Sequence, residues 1–101
     1  MNYIGIDPGQ SGGIVVLSED RDSHFDPMPK TETDIWKLFE PFYHYDISPV
    51  AVIEKVHSMP KQGVVSSFKF GQNYGFLRAC LIAAEIPFTE VAPRTWMKGL
   101  G

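Results

Sequence analysis

The amino-acid sequence predicts an α/β domain on a mixed five-stranded sheet, three antiparallel strands and then two parallel ones, with flanking helices. Three observations predict it. Two apolar runs of strand length, residues 3–7 and 13–17, are joined by a glycine-rich turn. A third run, Val50 to Glu54, is apolar without alternation, as in a parallel strand buried on both faces. Segments with apolar residues at helical spacing alternate with the later strands, as crossover connections require.

Tyr3 to Asp7 reads as the first strand, with Ile4 and Ile6 on one face. Pro8-Gly9-Gln10-Ser11-Gly12-Gly13 is a tight turn, and Gly13 to Leu17 completes a hairpin. A third strand is expected around Asp22 to Met28. Thr31-Glu32-Thr33-Asp34 has the signature of a helix start, a capping threonine with acids in the first turn. Ile35, Leu38, Phe39 and Phe42 follow at helical spacing, and Pro41 is expected to end or kink that helix.

After the Val50–Glu54 strand, a loop from Lys55 to about Val65 carries Pro60 and Gly63. The strongest helix follows, about Ser66 to Glu85, with Phe70, Tyr74, Leu77, Leu81 and Ala84 as an apolar stripe. Gly71, Gly75, Ala79 and Ala83 form a second stripe of small residues. Each interior glycine costs roughly 1 kcal/mol relative to alanine, so close approach of this stripe to the sheet or another helix is the expected compensation, a dimer contact being the alternative. Phe88 to Ala92 is the last strand. Pro93 suits the first position of a helix that has barely begun when the sequence stops at Gly101.

One small domain, residues 1–101, accommodates all of this. Hydrophobic residues make up 44% and charged residues 21%, which excludes a disordered chain. No apolar run approaches the roughly 20 residues that span a bilayer. The start lacks the basic and apolar regions of a secretory signal. Cys80 is the single cysteine, which favours a reducing, cytoplasmic setting. Net charge is −3, unevenly spread: residues 1–54 hold three Lys/Arg against ten Asp/Glu, and residues 55–101 hold six against two. Such asymmetry hints at an anionic partner, although surface scatter explains it equally well.

Asp7 and Glu54 each end an apolar strand. Ligands of α/β sheets collect outside the carboxyl ends of strands. If the two strands are neighbours, the carboxylates stand about one strand spacing apart, roughly 5 Å. They repel unless a proton or cation lies between them, and all-oxygen donors favour Mg²⁺ or Mn²⁺. Capping of nearby loops is the plain alternative, and spacing leaves the two readings even.

The motifs resemble those of the RuvC-type Holliday junction resolvases of the RNase H-like superfamily. Ile4-Gly5-Ile6-Asp7-Pro8-Gly9 resembles their opening motif, and Val52-Ile53-Glu54-Lys55-Val56 the strand that ends in glutamate. Phe68-Lys69-Phe70-Gly71-Gln72-Asn73-Tyr74-Gly75 is similar to the glycine-marked helix start that follows. Val91-Ala92-Pro93-Arg94-Thr95-Trp96-Met97-Lys98 is similar to the next strand-to-helix junction, in the form of phage-like members. The four motifs keep their order over nearly the whole chain. The resemblance implies an RNase H-like sheet and a homodimeric, Mg²⁺- or Mn²⁺-dependent endodeoxyribonuclease of recombination and repair that hydrolyses DNA four-way junctions. It implies Asp7 and Glu54 as catalytic metal ligands. The family completes its site with acidic residues on a last helix. No Asp or Glu follows Glu90 here, so a C-terminally truncated domain with an incomplete metal site is expected.

Lys55, His57 and Lys61, in the loop beside Glu54, are candidates for phosphate contact, and Met59 or Val64 for a wedge at an opened junction. Lys69, Gln72 and Asn73 are candidates on the helix. A solvated loop and an ordinary polar helix face account for the same residues. Two other functions compete. One is a junction-binding module without catalysis. The other is a phosphate-binding domain of the actin and sugar-kinase type, whose first phosphate loop the 7–13 turn resembles. That class needs a second domain, for which the chain lacks length.

Overall fold

The computed structural model describes residues 2–18, 22–44, 49–55 and 63–92. Five strands and two helices alternate: β1 (Tyr3–Asp7), β2 (Gly13–Leu17), β3 (Ser23–Pro27), α1 (Glu32–His44), β4 (Val50–Glu54), α2 (Val64–Ala83) and β5 (Phe88–Val91). The sheet order is β3-β2-β1-β4-β5. β1 and β3 flank β2 antiparallel, and β4 is parallel to both β1 and β5. This is the mixed RNase H-like sheet the sequence predicts. The expected helix after Pro93 lies outside the described residues.

Strand alternation fixes what each sheet face does. Ile4, Ile6, Ile14, Ala51 and Ile53 point to one face and are buried there with Ile35 and Phe39 of α1 and Leu77, Cys80 and Leu81 of α2. Six large side chains in this layer are under 2% exposed, and they pin the register of the central strands. The other face carries Asp7 and Glu54. It also carries Tyr3 and Phe25, exposed at 53% and 63%.

α1 begins as its sequence dictates: Thr31 Oγ1 accepts a hydrogen bond from the Asp34 amide at 3.1 Å. Pro41 does not stop it. The helix runs on to His44 because buried Phe39 and half-buried Phe42, on either side of the proline, hold that last turn against the core. Packing there outweighs the lost backbone bond.

α2 starts at Val64, two residues before the expected start at about Ser66. Its N-cap is Gly63, with no side-chain capping bond. Its C-terminus is a Schellman motif: the Ile86 amide donates to the Leu81 carbonyl at 2.9 Å and the Glu85 amide to the Ile82 carbonyl at 3.1 Å. Buried Ile86 and Leu81 accompany it. Glu85 therefore takes the left-handed conformation, φ 57°, that glycine adopts without strain. Glu85→Gly is expected to stabilise the fold by about 1 kcal/mol, raising the unfolding temperature by roughly 4–8 °C, whereas Glu85→Ala gains nothing comparable. Thermal denaturation of the two variants checks this.

Cys80 is buried in the α2 core face, and burial, with a smaller push from Glu32, raises its thiol pKa to about 11. It is an inert packing residue. No helix among the described residues is long and apolar enough to cross a membrane.

Candidate functional site

β1 and β4 run parallel in direct register, with Ile6 opposite Ile53. One residue further on, each strand delivers its terminal carboxylate to the face opposite that buried pair. Asp7 and Glu54 are therefore side by side on one face of the sheet, and their carboxyl groups share a side-chain hydrogen bond. Asp7 is exposed along one edge, yet partial burial at the strand end raises its pKa. The charge of Glu54 and the shared hydrogen bond raise it further.

The turn after Asp7 is constrained from two sides. Gly12 donates its amide to the Gly9 carbonyl at 3.0 Å and closes the turn. A Cβ on Gly12 would run into the Asp7 carbonyl and lie 2.8 Å from the Pro8 carbonyl oxygen, so only glycine fits. Gly9 has φ +104°, and a Cβ there would meet the Phe70 ring at 2.8 Å. The Gly9 amide donates to Asn73 Oδ1 at 2.7 Å, a bond across 64 residues. Phe70 and Asn73, three apart and so on one side of α2, clamp the turn that carries Asp7.

An open cleft of about 440 Å³ runs beside this turn, walled by Asp7, Gly9, Ser11, Ser66, Lys69 and Asn73 among others. A second of about 700 Å³ continues from it past Lys30, Glu32 and Gln72, sharing Gln10, Lys69 and Asn73. Of the helix residues singled out in the sequence, Lys69 and Asn73 line the Asp7 cleft, and Gln72 lines only the second. Asn73 does more than a polar helix surface requires, because it positions the turn. Nothing in its spacing signalled the bond to Gly9, which depends on how α2 crosses the sheet. Lys55 is exposed just past Glu54, its amide bonded to the Val91 carbonyl at 2.6 Å. His57, Met59 and Lys61 lie outside the described residues.

Glu90 is the remaining acid of β5. Register pairs it with Ile53, so it points to the face opposite Glu54, where it binds Arg78 at 2.7 Å. That contact excludes it from the Asp7–Glu54 pair. It also hydrogen-bonds Tyr74, whose pKa is pushed up to about 12, chiefly by burial. Among the described residues, no group of three His, Cys, Asp or Glu side chains could hold a metal ion. The donor chemistry at Asp7 and Glu54 nonetheless fits a hard cation. The two carboxyl groups lie together, and a cation between them would offset the burial and the Glu54 charge that raise the Asp7 pKa.

No protein-family model matches the sequence, and no curated protein matches it. The fold is similar to that of Thermus thermophilus RuvC in complex with a Holliday junction substrate. The TM-score is 0.63 and the identity 14%, over 93% of this chain and 66% of that one. A further Thermus thermophilus RuvC structure gives a TM-score of 0.59 at 14% identity, over 92% of this chain and 64% of that one. The chain thus spans just under two thirds of the length of these RuvC structures, and what it shares with them is the fold.

Proposed function

We propose that this chain carries part of the active site of a divalent-metal-dependent endonuclease acting on branched DNA, four-way junctions above all. The observation behind the proposal is the contact between Asp7 and Glu54, delivered by adjacent parallel strands to one end of an RNase H-like sheet. Asp7 and Glu54 would hold Mg²⁺ or Mn²⁺. When bound, such an ion supplies Lewis acidity toward a phosphodiester and the water that attacks it. Asn73 and Phe70 keep the Asp7 backbone fixed, so the carboxylate meets its ligand with little reorganisation. Lys69, in the wall of the cleft, offers charge to a phosphate, and Gln72 and Asn73 offer amides beside it. A two-fold pair of chains would address equivalent phosphodiesters on opposing strands of a junction.

Cleavage of a synthetic four-way junction in Mg²⁺ tests the proposal, with Asp7→Asn as its control. Metal-dependent cutting that the substitution abolishes is expected. Affinity should also fall as salt is raised, because phosphate contacts release counterions. Binding without any cut would favour a junction-binding module, the reading supported by the lack of a third acidic ligand among the described residues. The phosphate-loop alternative loses ground on the turn itself: the Gly9 amide is taken by Asn73 and the Gly12 amide by Gly9, so neither is free to cradle a phosphate.

A further inference from the structure

Phosphate contacts account for only part of the second cleft. Its floor is apolar, with buried Met28 and Ile35 beside Pro27 and Pro29. Its rim is polar, with the side-chain amides of Gln10 and Gln72 and the carboxylate of Glu32. The floor is also held in place. The Met28 amide donates to the Gly12 carbonyl at 3.0 Å, which ties this loop to the turn that carries Asp7. Thr31 then caps α1 directly after it. The cleft is thus built before a ligand arrives, which lowers the cost of binding one.

The lining narrows what that ligand is. About 700 Å³ lies within the range of pockets that enclose a small organic group. A phosphodiester backbone suits the interior poorly, because the Glu32 carboxylate repels it and the apolar floor gives it no hydrogen bond. A nucleobase suits it well. Its flat faces match an apolar floor, and its edge carries the donors and acceptors that amides and a carboxylate pair with. The positive charges stand to either side. Lys69 lines both clefts where they meet, and Lys30 lines the second one only. Phosphates flanking a base in the cleft would therefore each meet a lysine.

We propose that the second cleft receives one unpaired base of the branched DNA, from a nucleotide neighbouring the phosphodiester at Asp7 and Glu54. This rests on the functional proposal and adds a substrate feature to it. A base must leave its stack to enter, and that costs least where pairing is already broken. The cleft thus favours DNA that is open beside the scissile phosphodiester, whatever its sequence.

Binding measured without divalent metal keeps cutting and metal affinity out of the test. Two synthetic four-way junctions are compared, one fully paired and one with a single extra cytosine left unpaired at the crossover. The second should bind at least roughly 10-fold tighter, because its base is already free to enter. That cytosine, given a thiol tether, should form a disulfide with Gln72→Cys. It should not do so with Lys37→Cys, which lies on the separate cleft between α1 and β2. Both positions are exposed, so both variants should fold. The same tether on a paired cytosine within an arm should capture neither. The unaltered protein controls for buried Cys80. Equal affinity for the two junctions, or capture at Lys37→Cys as efficient as at Gln72→Cys, would overturn the inference and leave the functional proposal standing. Binding of neither junction would overturn both. Preferential binding and capture without cutting in Mg²⁺ would support the cleft and sink the nuclease alone.

Discussion

Replacing Asp7 with asparagine is expected to stabilise the metal-free protein at neutral pH and to remove its response to Mg²⁺. The shift in the Asp7 pKa sets the sign. Its folded value is raised above the ordinary 3.8, so across that interval the folded state holds more protons than the unfolded chain. Stability therefore falls as pH rises through the interval and stays at its lower level above it. Asparagine cannot ionise, and it lifts that penalty. The cation proposed for this site would lift it in the native protein instead. At 100 times its dissociation constant, a ligand of the folded state stabilises by about 2.7 kcal/mol, on the order of 10–20 °C in unfolding temperature for a domain this size. Melting curves between pH 3.5 and 8, with and without Mg²⁺, should show a downward slope in the metal-free native protein, a flatter one in Asp7→Asn, and a metal-induced rise in the native protein only.

Gly12→Ala is expected to be severely destabilising, by about 3 kcal/mol or more. The added methyl would overlap the Asp7 carbonyl and crowd that of Pro8. Both are backbone atoms of the turn that Asn73 and Phe70 hold in place, so neither can swing aside as a side chain end could. The turn must open, and Asp7 moves with it. Urea denaturation measures the loss of stability. A variant that still folds should respond less to Mg²⁺, because its Asp7 carboxylate no longer lies against Glu54.

The placement of the two strand-end acids could be read from the chain. β1, β2 and β4 begin and end where their apolar runs do, because burial on the helix-covered face leaves them one register. Two strand-ending acids were thus enough to find the Asp7–Glu54 pair. Elements governed by distant contacts were less legible. Proline propensity says that α1 should end or kink at Pro41, and the packing of Phe39 and Phe42 carries it on to His44. α2 begins two residues earlier than expected, at Val64, because its N-cap is Gly63, which has no side chain to signal a helix start. Periodicity found two stripes on α2 but could not say which one meets the sheet. The stripe of glycines and alanines is the open one. The Asn73–Gly9 bond spans 64 residues, and no local signal carries it.

Titration of Mn²⁺ into the native protein, Asp7→Asn, Glu54→Gln and the double variant, followed by the electron paramagnetic resonance of the free ion, tests most directly whether the two carboxylates share one cation. A shared ion predicts that each single substitution raises the dissociation constant at least roughly 10-fold and that the double variant is scarcely worse than either. Mn²⁺ binding that survives unchanged in either single variant would contradict the account.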